Sequence, residues 1–197
     1  MLTQTKPLPR PSPRRKNDPG GLRARILDAA FELFQQRGFN ATSVHEIAAS
    51  ARVTGGALHH HFQTKQALGE AVIAESVASS VEDIWLEPVR SAANGRNGIL
   101  QVFSTLADEL DAQGSVRGCP VNNLTLELAY ANPNLRDQLR RQFDLWRRTI
   151  AEKLGGPNAD ARATMVIAAY SGAMAIAKVE QRGEPLRLCA KELERLL

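Results

Sequence analysis

The run Thr54-Gly-Gly-Ala-Leu-His-His-His-Phe62 holds more potential chemistry than any other stretch of the 197-residue chain. Three adjacent histidines suggest a metal. Successive helical residues point about 100° apart, however, so His59, His60 and His61 cannot converge on one ion. No metal and no cofactor is expected. The glycines ahead of them are better explained by close approach to a partner. A glycine in a helix costs roughly 1 kcal/mol against alanine, and Gly55, Gly56 and the small Ala57 would let the backbone come near a phosphate or a base edge. Ser43 and Thr54 stand where a hydroxyl caps a helix, and such amide-rich ends also suit phosphate. Arg52 and Lys65 add cations. The sequence holds no Gly-x-Ser-x-Gly elbow, no phosphate-cradling glycine loop and no Cys or His pair at ligand spacing, so an enzyme is not expected.

Charge placement agrees with a nucleic-acid partner. Lys plus Arg is 25 and Asp plus Glu is 21, a net charge of +4. Residues 1–65 hold ten basic against four acidic side chains, a local +6, which leaves −2 for the remainder. A basic first third on a mildly acidic body fits a nucleic-acid binder with a separate second function; a basic tail on a neutral protein would give the same numbers. At 43% hydrophobic and 23% charged, the composition is that of a soluble globular chain. Two cysteines cannot staple a fold. The longest uncharged apolar stretch, Ala163 to Ala177, is 15 residues, short of the roughly 20 a helix needs to span a bilayer. No apolar signal segment opens the chain. A cytoplasmic protein without a membrane span is expected.

The elements that position these residues are legible as helices. The prolines from Pro7 to Pro19 forbid a helix and leave little to bury, so residues 1–21 read as a disordered basic arm. From Leu22, the residues Ile26, Ala29, Ala30, Leu33 and Phe34 repeat at helical spacing, and Gly38 stops that helix. Ser43 with Glu46 is a capping box opening a second helix. Thr54 caps a short third helix to about Phe62, and the tight turn at Ala51-Arg52-Val53 makes the pair a helix-turn-helix. Thr64 caps a fourth helix running past Trp85 toward Asn94. Further on, Ile99–Leu110, a segment opening at Gly118-Cys119-Pro120, a stripe from Leu135 to Leu154, an Ala-rich stretch over 160–181 and a short last helix complete an all-α chain of about nine helices. No stretch has the alternation of a strand.

In the second half, Trp85, Phe103, Cys119, Asn123, Phe143, Trp146, Tyr170 and Met174 are candidates to line a ligand pocket, with Met165 beside them; simple core packing is the alternative. Cys119 sits at a helix N-terminus, where a thiol pKa tends to fall, so a redox sensor is also weighed. Gly172 in the Ala-rich helix permits close helix–helix approach.

Arg25-Ile-Leu-Asp-Ala-Ala through Gly38-Phe39, Ala41-Thr-Ser-Val-His-Glu-Ile-Ala, Val53 through Phe62, and Lys65-Gln-Ala-Leu68 together resemble the TetR family of bacterial transcriptional regulators. The match covers about residues 22–75. The resemblance implies an N-terminal three-helix helix-turn-helix DNA-binding domain over 22–82, with its recognition helix at about 54–62 and a linker helix from 64. A helical ligand-binding and dimerisation body would follow over 83–197. It implies a sequence-specific DNA-binding regulator: a repressor released from its operator by a small-molecule effector. The body's charge of only −2 and its many apolar residues point to a small, largely apolar or aromatic effector, uncharged or weakly cationic. A DNA binder without allostery, or a redox regulator acting through Cys119, are the alternatives. Ser43, Arg52, Thr54, Gly55, Gly56, Ala57, His59, His60 and Lys65 are the implied DNA contacts. His59 replaces a tyrosine common in the family, Arg52 replaces a glycine, and His61 is expected against the core beside Phe62. A homodimer through helices near 135–154 and 160–179, reading a near-palindromic operator in double-stranded DNA, completes the expectation.

Overall fold

The computed structural model describes residues 19–130 and 132–197; the expectation of a disordered arm therefore lies outside the described residues up to position 18. Nine helices account for most of the described residues, and none of these forms a strand. They are α1 (Pro19–Arg37), α2 (Val44–Ser50), α3 (Gly55–His61), α4 (65–91), α5 (Gly95–Gln113), α6 (Pro120–Leu128), α7 (Pro133–Leu154), α8 (Ala159–Glu180) and α9 (Glu184–Leu196). The first begins three residues before the expected Leu22. Pro19 is its first residue, where the ring presets φ and the missing N–H would be unpaired anyway. Gly20 and Gly21 are carried into the helix rather than ending an arm.

Short-range chemistry sets the helix starts. The Ser43 side chain accepts from the Glu46 amide at 3.2 Å, and the Glu46 carboxylate takes the Ser43 amide at 2.7 Å, closing the capping box. Thr54 accepts from the Ala57 amide at 3.1 Å and Thr64 from the Ala67 amide at 3.0 Å. Asn94 and Asn132 cap α5 and α7 in the same way. These sites match the caps read from the sequence at Ser43, Thr54 and Thr64.

The long helix α4 joins the two halves. It contains two stretches of wider π-type turns, Val72–Val77 and Glu82–Leu86. Each extra residue per turn rotates the following face. The first stretch buries Val72, Ile73 and Val77, packing on α1 and α7; the second buries Trp85 and Leu86 against α5 and α7. No sequence signal announced these turns. In the body, α8 packs between α7 and α9, and both of these pack on α5. The outer face of α7 is charged, with Arg136, Asp137, Arg140, Arg141, Asp144 and Arg148 all exposed. Exposed large apolar residues lie instead on α8 (Ile176, Val179), on α9 (Leu188, Leu196), and on and just after α6 (Leu126, Tyr130). No helix among the described residues is long and apolar enough to cross a membrane.

Candidate functional site

The turn between α2 and α3 runs through Arg52, whose φ of 54° is left-handed. For a residue with a side chain this costs roughly 1 kcal/mol or more. The Arg52 amide donates to the Ala49 carbonyl at 3.1 Å and the Val53 amide to the Ala48 carbonyl at 3.0 Å. The turn thus closes on its own backbone and leaves the Arg52 side chain exposed. Ser43, Thr54, Gly55, Gly56, His59 and His60 are exposed as well, and Ala57 is half-buried. An ideal Cβ at Gly55 or Gly56 would meet nothing within 4 Å. Internal packing therefore gives no reason for either glycine.

The buried side of α3 is anchored by Leu58 and Phe62. His61 is half-buried with its ring 6.5 Å from that of Phe62, the position expected for it. The Arg23 guanidinium lies 5.4 Å above the Phe62 ring and is bonded to Glu75 of α4. The Glu75 carboxyl is held below its usual range by that hydrogen bond. The C-terminal end of α3, α1 and α4 are thereby tied at one point. Lys65 is not an ordinary solvated lysine. Its ammonium donates to the Asn40 carbonyl at 3.3 Å and lies 4.5 Å over the Phe39 ring. Burial pulls it below the usual lysine range, against the attraction of Glu127 and Glu46.

The body candidates divide into two groups. Trp85, Phe103, Trp146 and Tyr170 are each at most 2% exposed and pack ring against ring. Centroids are 4.9 Å apart for Trp85–Tyr170, 5.0 Å for Trp85–Trp146 and 5.7 Å for Trp85–Phe103. Phe143 stacks on Trp146 at 6.2 Å from the half-buried rim. Met174, and one side of Tyr170 from the aromatic cluster, reach the wall of a cavity of about 340 Å³ on the seam between α1 and the body. Phe31, Gln35, Ile84 and Leu106 share that wall, whereas Trp85, Phe103 and Trp146 stay behind it in the packed core. Gln35 and the seam were not signalled by the sequence, because Gln35 sits on a helix whose apolar stripe masks it.

Cys119 is buried, between Gly118 and Pro120 of the cavity wall. Burial pushes its thiol up; the Asn122 and Val121 amides and the Tyr170 hydroxyl pull it down and are outweighed. The lowering expected at a helix N-terminus does not occur, since desolvation disfavours the thiolate more than two amides favour it. Burial likewise pushes the Tyr170 phenol well up, with Cys119 beside it. The Trp85 indole N–H is buried near that hydroxyl and has no hydrogen-bond partner. Asn123 does not line the seam cavity. It donates to the Gln35 side-chain carbonyl at 2.8 Å and to the Arg117 carbonyl at 3.0 Å, and accepts from Lys178 at 3.4 Å.

A helix-turn-helix with a bare, small-residue face, carried by a linker helix into a cavity-bearing helical body, defines a DNA-binding regulator. Comparison with known proteins agrees. The model for bacterial regulatory proteins of the tetR family matches residues 26–72, and that for the LmrA/YxaF-like regulator C-terminal domain matches 96–192. The chain belongs to the TetR family of transcriptional regulators. Among relatives, it is 28% identical over 182 residues to the HTH-type transcriptional repressor DhaR of Mycobacterium sp. (strain GP1), covering 84% of this chain and 86% of that protein. It is 27% identical to the transcriptional regulator AcuR of Cereibacter sphaeroides, covering 94% and 91%. The fold is also that of the reduced form of Escherichia coli NemR, with a TM-score of 0.80 at 22% identity over 88% of this chain and 95% of that one.

Proposed function

We propose that this regulator is a homodimeric repressor that α3 docks in the major groove of a near-palindromic operator, and that a small molecule in the seam cavity releases it. The observation that carries the reading is the pair Gly55-Gly56. Both are exposed at the start of α3 and neither is required by packing, so the cost they impose on the helix needs an external reason. Arg52, Thr54, Ala57, His59 and His60 then face base edges and phosphates, with Ser43 at the start of α2 and Lys65 at the start of α4 on the backbone. The Ser43 hydroxyl already donates to Glu46 at 2.8 Å, so a phosphate at the start of α2 would be met by helix amides rather than by that hydroxyl.

Repression is the activity named for DhaR. Dimerisation is assigned to α8 and α9, where apolar residues are exposed, rather than to the charged face of α7. The effector fits the seam cavity: Phe31, Ile84, Leu106 and Met174 supply apolar surface, and Arg117 is tied to Glu32. Gln35 is buried and its amide Nε2 has no acceptor, so a ligand bearing a carbonyl or ether oxygen gains a bond there. An uncharged or weakly cationic aromatic molecule with such an oxygen is the expected class. The test is retardation of the DNA just upstream of the coding region, then a thermal-shift screen with each hit assayed for release. Stabilising compounds that all leave DNA affinity unchanged would leave a constitutive binder; failure to retard that DNA would remove the operator itself.

A further inference from the structure

The turn that follows α1 is held by a residue from the far side of the chain. The Glu127 carboxylate of α6 accepts the Phe39 amide at 2.5 Å and the Asn40 amide at 3.0 Å. These partners are separated by 88 and 87 positions. The site is built for it. Gly38 has a φ of +88°, and a Cβ there would sit 2.7 Å from Glu127 Oε1, so only glycine both makes the turn and leaves room for the carboxylate. From the other side Lys65 holds the Asn40 carbonyl. The turn between α1 and α2 is thus gripped by one side chain from the body and one from the linker helix.

The opposite end of α6 meets the cavity. Gly118 and Pro120 line it beside Gln35, and Asn123, one turn into α6, bonds Gln35 of α1. The nine residues of α6 make a rigid element about 13 Å long at 1.5 Å per residue. One end contacts the cavity wall and the other contacts the turn that sets the pose of the helix-turn-helix. Coupling requires an element that two sites both bias, and α6 meets that requirement over a shorter path than α4.

We propose that Glu127 is a positioning residue: through its hold on the Phe39 and Asn40 amides, α6 delivers a displacement at the cavity directly to the DNA-binding helices. The proposal rests on the regulator reading above. It makes DNA binding and the state of α6 reciprocal, so no effector is needed to test it.

The experiment is amide hydrogen exchange on the full chain, free and saturated with a duplex covering the DNA just upstream of the coding region. In the free protein, Glu127→Ala should speed exchange at Phe39 and Asn40 by roughly ten- to hundredfold, the range for losing a hydrogen bond to a charged acceptor. Exchange within α7 and α8 should stay as it was. In the wild type, DNA should slow exchange across 118–128 as well as in α2 and α3. In Glu127→Ala that response at 118–128 should be lost while DNA still binds. Glu127→Gln, which keeps one acceptor oxygen, should retain part of it and serves if the alanine variant does not fold. Unchanged exchange at Phe39 and Asn40 overturns the latch itself. A response at 118–128 that survives in Glu127→Ala overturns the coupling role alone, and wild-type protein that does not bind the duplex overturns the regulator reading and the coupling with it.

Discussion

Replacing Gly56 by leucine should make the protein more stable and less able to bind DNA. Gly56 is the second residue of the seven-residue α3, and a Cβ there would meet no atom within 4 Å. No steric term opposes the change. A side chain at a helical position recovers about 0.5–1 kcal/mol relative to glycine, partly by restricting the unfolded chain. In a chain of this length, 1 kcal/mol moves Tm by roughly 2–4 °C, so a rise of about 1–4 °C is expected. Affinity should move the other way. The leucine would fill the space between the α3 backbone and the groove, and losing even one well-formed base contact costs about 1–3 kcal/mol. A loss of about fivefold or more in operator affinity, about 1 kcal/mol, is therefore the minimum expected. Thermal melts and fluorescence anisotropy on a labelled operator duplex measure the two effects side by side. A fall in Tm would show that the glycine is structural. Unchanged affinity would remove the start of α3 from the groove.

Arg52→Gly should relieve the left-handed strain at φ 54° and raise stability by about 1 kcal/mol. Operator affinity should fall and its salt slope shrink by about 0.9 if one phosphate contact is lost; an unchanged slope would place the side chain off the DNA. Gly172 is exposed on α8 and a Cβ there meets nothing within the protomer. Gly172→Phe should leave the protomer folded by circular dichroism while lowering dimer content in analytical ultracentrifugation, together with operator affinity; a stable dimer would place the interface elsewhere. With its thiol buried and pushed up, Cys119 should react with a disulfide reagent at pH 7.5 roughly tenfold or more slowly than free cysteine, because only the accessible thiolate attacks. The raised thiol pKa also means that the unfolded chain loses this proton first as pH climbs through about 8.5. Stability should therefore decline above that pH, and Cys119→Ala should remove that component. Rapid oxidation of Cys119 that releases DNA would restore the sensor reading.

Much of the DNA-binding half was legible in the sequence because its signals are local. Ser43 and Glu46 are three residues apart and bond each other; Thr54 caps α3 through Ala57, and Thr64 caps α4 through Ala67. The inward side of α7 follows from a stripe repeating every three or four residues. All of these are hydrogen bonds or periodicities spanning about one helical turn, which the order of residues specifies by itself. What packing decided could not be read that way. Trp85, Trp146 and Tyr170 were recognisable as apolar, yet only the meeting of α4, α7 and α8 puts the tryptophans in a closed aromatic core and Tyr170 against a cavity. Cys119 stands at a helix N-terminus in sequence, but its burial, a tertiary fact, reverses the direction of its pKa. The charged face of α7 and the bare apolar faces of α8 and α9 emerge only when the helices are stacked. Glu127 is an unremarkable glutamate on a short helix until the fold carries it across more than eighty residues to the amides of Phe39 and Asn40. A contact of that range is fixed by how helices pack, and nothing near either partner in the chain announces it.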